Sequence, residues 1–89
     1  MKKENGVEFE YEHLEDGVNI NHFFVDINTR GNVRGSDVIQ SLIDRFEDQG
    51  YNYVVVNMGG GEGSREFLRR NGFEIVEFSE DHVTAETDL

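Results

Sequence analysis

The sequence predicts an α/β domain built on a mixed sheet, in the order β-β-α-β-α-β with one further strand at the end. Three observations lead there. Val7-Glu8-Phe9-Glu10-Tyr11-Glu12 alternates apolar and acidic residues, the pattern of a half-buried strand. Val38, Ile39, Leu42, Ile43 and Phe46 recur at helical spacing and stop before Gly50. Tyr53-Val54-Val55-Val56-Asn57 is short and apolar on both faces, as in a buried parallel strand, and runs into a Gly-rich turn.

The elements follow in chain order. Val7 to Glu12 is the first strand, and Glu15-Asp16-Gly17 is a turn in which Gly supplies positive φ. Val18 to Ile27 is a longer strand that completes an antiparallel hairpin. A strict period of two puts Val18, Ile20, His22 and Phe24 on one face and Phe23, Val25 and Ile27 on the other. Asn28 to Gly35 is a polar loop. Ser36 is a good N-cap and Asp37 suits the positive end of a helix, which Gly50 terminates. After the strand at Tyr53, the turn Gly59-Gly60-Gly61-Glu62-Gly63 opens a short helix from about Ser64 to Asn71. Gly72-Phe73 closes it, with Gly at C′ and Phe placed for the hydrophobic contact of a Schellman motif. Phe73 to Phe78 is a strand. Val83 to Thr87 is the last, and its thin apolar content assigns it to an edge.

Composition narrows the function. Eighty-nine residues make one domain, 1–89, with 1–6 and 88–89 expected to be flexible ends. Nineteen acidic and eight basic residues give a net charge of −11, against a non-specific nucleic-acid binder or an anionic membrane surface. Cys is absent, which removes disulfides and thiolate metal sites. No apolar run is long enough to span a bilayer, and Met1 to Gly6 lacks a signal-peptide core, so a cytoplasmic location is expected. Only Lys2 and Lys3 are lysines; an acid-rich, Lys-poor surface fits a cytosol of molar salt, where self-repulsion is screened. The alternative is an ordinary acidic domain kept soluble by its charge.

The run from Val25 through Arg30-Gly31-Asn32-Val33-Arg34-Gly35-Ser36 to Ile43 resembles motif A of the GNAT family, the Gcn5-related N-acetyltransferases. That motif is a strand, an Arg-Gly-x-Gly-x-Gly/Ala loop and an apolar helix. The resemblance extends from Val18 to the helix ending Arg69-Arg70-Asn71-Gly72-Phe73 and on to Phe78. It implies an acetyl-CoA-binding fold in which Arg30, Gly31, Asn32, Val33, Arg34, Gly35 and Ser36 cradle the coenzyme pyrophosphate with backbone N–H groups. It implies transfer of an acetyl group to an amine.

Departures from the family pattern matter. Val33 stands at the middle Gly of the loop, and a β-branched residue is poor at positive φ. Leu68 occupies the position of a Tyr that serves many members as general acid, and Gly61 that of an Asn; neither donates a proton. A strand and two helices that usually precede the hairpin are missing. These departures favour a rival reading: an inactive GNAT-fold binding or assembly module of a halophilic archaeon or its virus, pairing through an exposed sheet edge with a second copy or another protein.

Other candidates have simple alternatives. His22 is the candidate base, with Asp26 or Glu12 assisting, although an isolated His on a sheet is more often structural. Arg30, Arg34, Arg65, Arg69 and Arg70 suit a polyphosphate, or else local acids such as Glu62 and Glu66. The Gly-rich turn could cradle an anion or simply turn. No metal site is expected: Asp44, Glu47 and Asp48 read as a solvated helix face.

Overall fold

A computed structural model describes residues 2–4, 7–25 and 35–89. The elements are β1 (Lys2–Glu4), β2 (Val7–His13), β3 (Gly17–Val25), α1 (Gly35–Asp48), β4 (Tyr53–Gly59), α2 (Glu62–Arg70), β5 (Glu74–Phe78) and β6 (His82–Asp88). The strands form one mixed sheet in the order β1-β2-β3-β4-β6-β5. β2 and β3 are the expected antiparallel hairpin, and β3 and β4 are the expected parallel pair joined through α1. The fold class read from the sequence is therefore present, with β1 added beside β2 at the outer edge.

Both helices pack on the same face of the sheet. α1 buries Val38, Ile39, Leu42 and Phe46, and α2 buries Leu68, against Phe9, Ile20, Val54, Val56 and Ala85. The ring of Phe46 meets Tyr11 edge-on at 5.4 Å, and Phe67 stacks on Phe23 at 5.8 Å. Both helices stop as the sequence predicts. Gly50 (φ 90) and Gly72 (φ 88) take the left-handed conformation. The following residues, Tyr51 and Phe73, return N–H bonds to Phe46 and Leu68, the pairing of a Schellman motif.

The opposite face of the sheet is polar. It carries Glu8, Glu10 and Glu12 of β2, Asn19 and Asn21 of β3, Asn57 of β4 and Thr84 and Glu86 of β6, as the strand registers require. β4 is thus not buried on both faces: Val54 and Val56 are fully buried, whereas Tyr53 and Val55 are half-buried.

Three other expectations are corrected. β6 is not an edge strand. It pairs with β4 on one side and β5 on the other, so β5 holds the edge. Val83 and Ala85 of β6 suffice for a central strand because side chains of neighbouring elements cover them. The strict alternation read into β3 is also broken. Glu8 pairs with Phe24 and Glu10 with Asn21, so Phe9 faces both His22 and Phe23, which is a β-bulge. His22 absorbs it at φ 56. The bulge turns Phe23 into the core and leaves Phe24 52% exposed, away from Val18 and Ile20. Finally, α1 begins at Gly35, so Ser36 lies inside its first turn rather than capping it.

Candidate functional site

β3 and β4 pair in parallel from Gly17 and Tyr53 as far as Ile20 and Val56, and no further. Both strands continue, to Val25 and Gly59. Past the split, among the described residues, β3 pairs only with β2, and β4 only with β6. The two edges that face each other therefore have no strand partner among the described residues. The split lies at the carboxyl ends of parallel strands, where open α/β sheets bind their ligands.

Side chains on the polar face cross this split in a continuous ladder. Asn57 donates from Nδ2 to Oδ1 of Asn19 at 2.8 Å and to Oδ1 of Asn21 at 3.0 Å. Asn19 donates in turn to Oε1 of Glu12 at 3.1 Å. On the other side, the Thr84 hydroxyl donates to Oδ1 of Asn57 at 2.8 Å, and Nε2 of His82 lies 2.9 Å from the Thr84 oxygen. Glu77 brings a carboxylate to 3.6 Å from the same ring nitrogen. The ladder links β2, β3, β4, β6 and β5. It was missed in the sequence, where only the repeated Asn at 19 and 21 hinted at it.

An open cleft of about 390 Å³ adjoins the split, lined by Asn21, His22, Asn57, Met58, Gly59, Asp81 and His82. His22 enters it from the bulge; its side chain is 71% exposed and its Nε2 lies 4.0 Å from Glu10 Oε2. The cleft therefore joins His22, which the sequence singled out, to His82, which with Asp81 reads in the sequence as an inert terminal acidic patch. Asp26 lies outside the described residues, and Glu12 bonds Asn19 rather than His22.

Of the coenzyme-loop candidates, Arg30, Gly31, Asn32, Val33 and Arg34 lie outside the described residues. Gly35 is buried at the start of α1. Ser36 accepts from Nδ2 of Asn71 at 3.2 Å. Asn71 also receives Nε2 of Gln40 at 3.2 Å, so the C-cap of α2 braces the first turns of α1. Arg65 and Arg69 pair with Glu62 and Glu66, and Arg65 also lies over the Phe78 ring at 4.7 Å. The Gly-rich turn has a packing reason: a Cβ on Gly60 would sit 2.4 Å from the Glu80 carbonyl oxygen and 2.5 Å from that of Ser79. Carbonyl oxygens so close suit a tight turn, not an anion cradle. Among the described residues no group of three His, Asp or Glu is placed to hold a metal ion, and no helix is long and apolar enough to cross a membrane.

No protein-family model and no curated protein matches the chain. Solved structures do match. An acetyltransferase from Bacillus cereus superposes with a TM-score of 0.78 at 14% identity, covering 94% of this chain and 64% of that one. A GNAT-family acetyltransferase from Listeria monocytogenes gives 0.62 at 9% identity, covering 82% and 43%. The fold is that of the GNAT acetyltransferases. The NatC complex bound to Gag peptide and CoA gives a TM-score of 0.70 at 11% identity, covering 93% of this chain and 59% of the matched one. The chain thus spans between 43% and 64% of the length of these GNAT-fold neighbours. In GNAT terms Leu68, where many members have Tyr, is fully buried in the core, and Phe67 beside it stacks on Phe23. Gly61 caps α2 without a side-chain hydrogen bond.

Proposed function

We propose that this GNAT-fold chain binds acetyl-CoA at the split between β3 and β4 and transfers the acetyl group to an amine. The observation that carries the reading is the pair of unpartnered strand edges past Ile20 and Val56, opening beside a cleft that holds two imidazoles. Unpaired strand edges offer N–H and C=O groups to an extended amide-containing ligand, as in strand addition. When bound, the thioester supplies an activated acyl group. The chain's own part is positioning. Arg30, Gly31, Asn32, Val33, Arg34, Gly35 and Ser36 hold the pyrophosphate, with Asn71 bracing the Gly35–Ser36 end. The freed strand N–H groups donate to the acyl oxygen. The cleft admits the amine, and holding the partners together supplies much of the rate. His22 is one of the two imidazoles able to take the amine proton. Leu68 donates nothing, so the leaving thiolate is protonated through water by the second proton that the amine nitrogen sheds as the amide forms.

A second reading is favoured by that buried Leu68: a non-catalytic GNAT-fold module that pairs with a second copy or another protein through the edge strands β1 or β5. In either case the charge of −11 suits a high-salt cytosol. The deciding experiment incubates the chain in molar KCl with acetyl-CoA and a panel of primary amines. It reads free thiol and, by mass spectrometry, the acetylated amine. Product from at least one amine supports transfer. Acetyl-CoA binding without any product leaves the module, and a homodimer or captured partner in molar KCl supports it.

A further inference from the structure

Two imidazoles line the cleft, but only one is held. Nε2 of His22 has Glu10 at 4.0 Å and no hydrogen-bond partner among the described residues. His82 ends a ladder whose polarity is fixed from its far end. A carboxylate only accepts, so Glu12 requires the NH₂ of Asn19 to point toward it. The Asn19 carbonyl is then left to accept from Asn57, whose own carbonyl faces Thr84. Thr84 must spend its single O–H on Asn57 Oδ1, so it meets His82 with a lone pair. Nε2 of His82 must therefore carry the ring hydrogen, and Glu77 beside it favours the same placement. In the neutral ring, Nδ1 keeps the lone pair, and no described residue hydrogen-bonds it.

We propose that His82 is the base that takes the proton of a primary-amine substrate in this cleft, held in its Nε2–H tautomer by Thr84, Asn57, Asn19 and Glu12. Thr84 and Asn57 are positioning residues. This assignment rests on the acetyltransferase reading and deepens it. In the step, an ammonium N–H bond breaks, the proton goes to Nδ1 of His82, and the electron pair stays on the amine nitrogen, which becomes the nucleophile. Glu77 lies 3.6 Å from Nε2 of the ring that receives the proton. Asp81 and Glu77 beside the cleft select a cationic amine over a neutral or anionic acceptor.

Imidazole nitrogen NMR on the full chain in molar KCl tests this, at about pH 8 where an ordinary His is neutral. The expected spectrum shows His82 protonated at Nε2, with Nδ1 shifting on addition of n-butylamine but not of n-butanol. Thr84→Val should mix the tautomers, and Thr84→Ser should restore the single form. A proton on Nδ1 in the parent chain, or an Nδ1 resonance indifferent to n-butylamine, overturns the assignment whether or not acetyl-CoA binds. In turnover, His82→Gln should lose about 10²-fold or more with acetyl-CoA affinity unchanged. A larger loss in His22→Gln than in His82→Gln would give the proton to His22 instead. Absence of acetyl-CoA binding by the parent chain counts against the acetyltransferase reading itself, which the amine titration does not test.

Discussion

Asn57 of β4 donates to Asn21 of β3 across 3.0 Å, one residue beyond Ile20 and Val56, where the backbones of the two strands cease to pair. A side-chain bridge thus takes over where the ladder of backbone bonds ends. It ties the strands together on the polar face beyond the last backbone pair.

Asn57 also bonds Asn19 and Thr84, so its removal takes the donor from the half-buried Asn19 carbonyl and the acceptor from the half-buried Thr84 hydroxyl, while Asn21 keeps its bond from Asn19 at 3.3 Å. Asn57→Ala should destabilise the fold by about 1–3 kcal/mol. Denaturant titration in high KCl measures this, and Asn57→Asp should fail to restore stability, because its acceptor oxygen would face those of Asn19 and Asn21.

His22 holds φ 56 at the β3 bulge, a conformation that costs a non-Gly residue about 1–2 kcal/mol. His22→Gly should therefore raise stability by up to about 1 kcal/mol, the greater freedom of unfolded Gly offsetting part of the gain. His22→Val should lower it. The opposite order in thermal melts would show that the bulge is not where the strain lies.

Gly60 lies against the carbonyl oxygens of Ser79 and Glu80, so Gly60→Ala should cost about 1–3 kcal/mol through backbone displacement. Gly63 has nothing within 4 Å of its added Cβ and sits inside α2. Gly63→Ala should be stabilising by up to about 1 kcal/mol, since Ala outranks Gly in a helix.

Leu68 is fully buried beneath the sheet, so Leu68→Ala should cost about 2–5 kcal/mol. Leu68→Tyr, which restores the residue type many GNAT proteins use there, should cost about 1–3 kcal/mol by overpacking and leave turnover no higher. A gain in turnover would mean that the buried position reaches the thioester.

The legible parts of the fold were those with local causes. Gly50-Tyr51 and Gly72-Phe73 announced two helix ends because a Schellman motif is written in adjacent residues. The alternation in β2 and the apolar period of α1 survived because nothing interrupts them. The β3 bulge was not legible: His gives no sign of positive φ, and a one-residue insertion reverses every side chain after it. The role of β6 depended on what covers Val83 and Ala85, which is tertiary information. β1 had a signal that went unused, since Asn5-Gly6 between Lys2–Glu4 and Val7 is a hairpin dipeptide. The cleft was half visible. His22 stood out as an isolated imidazole, but the ladder that holds His82 joins residues 38 and 27 positions apart and exists only once the strands are ordered.

The central claim is that the split sheet holds a coenzyme A thioester, and calorimetric titration with acetyl-CoA in molar KCl tests it most directly. The account predicts saturable binding that Val33→Gly tightens, by letting backbone approach phosphate, and that Arg30→Ala weakens. No heat and no thermal shift at millimolar acetyl-CoA would contradict it.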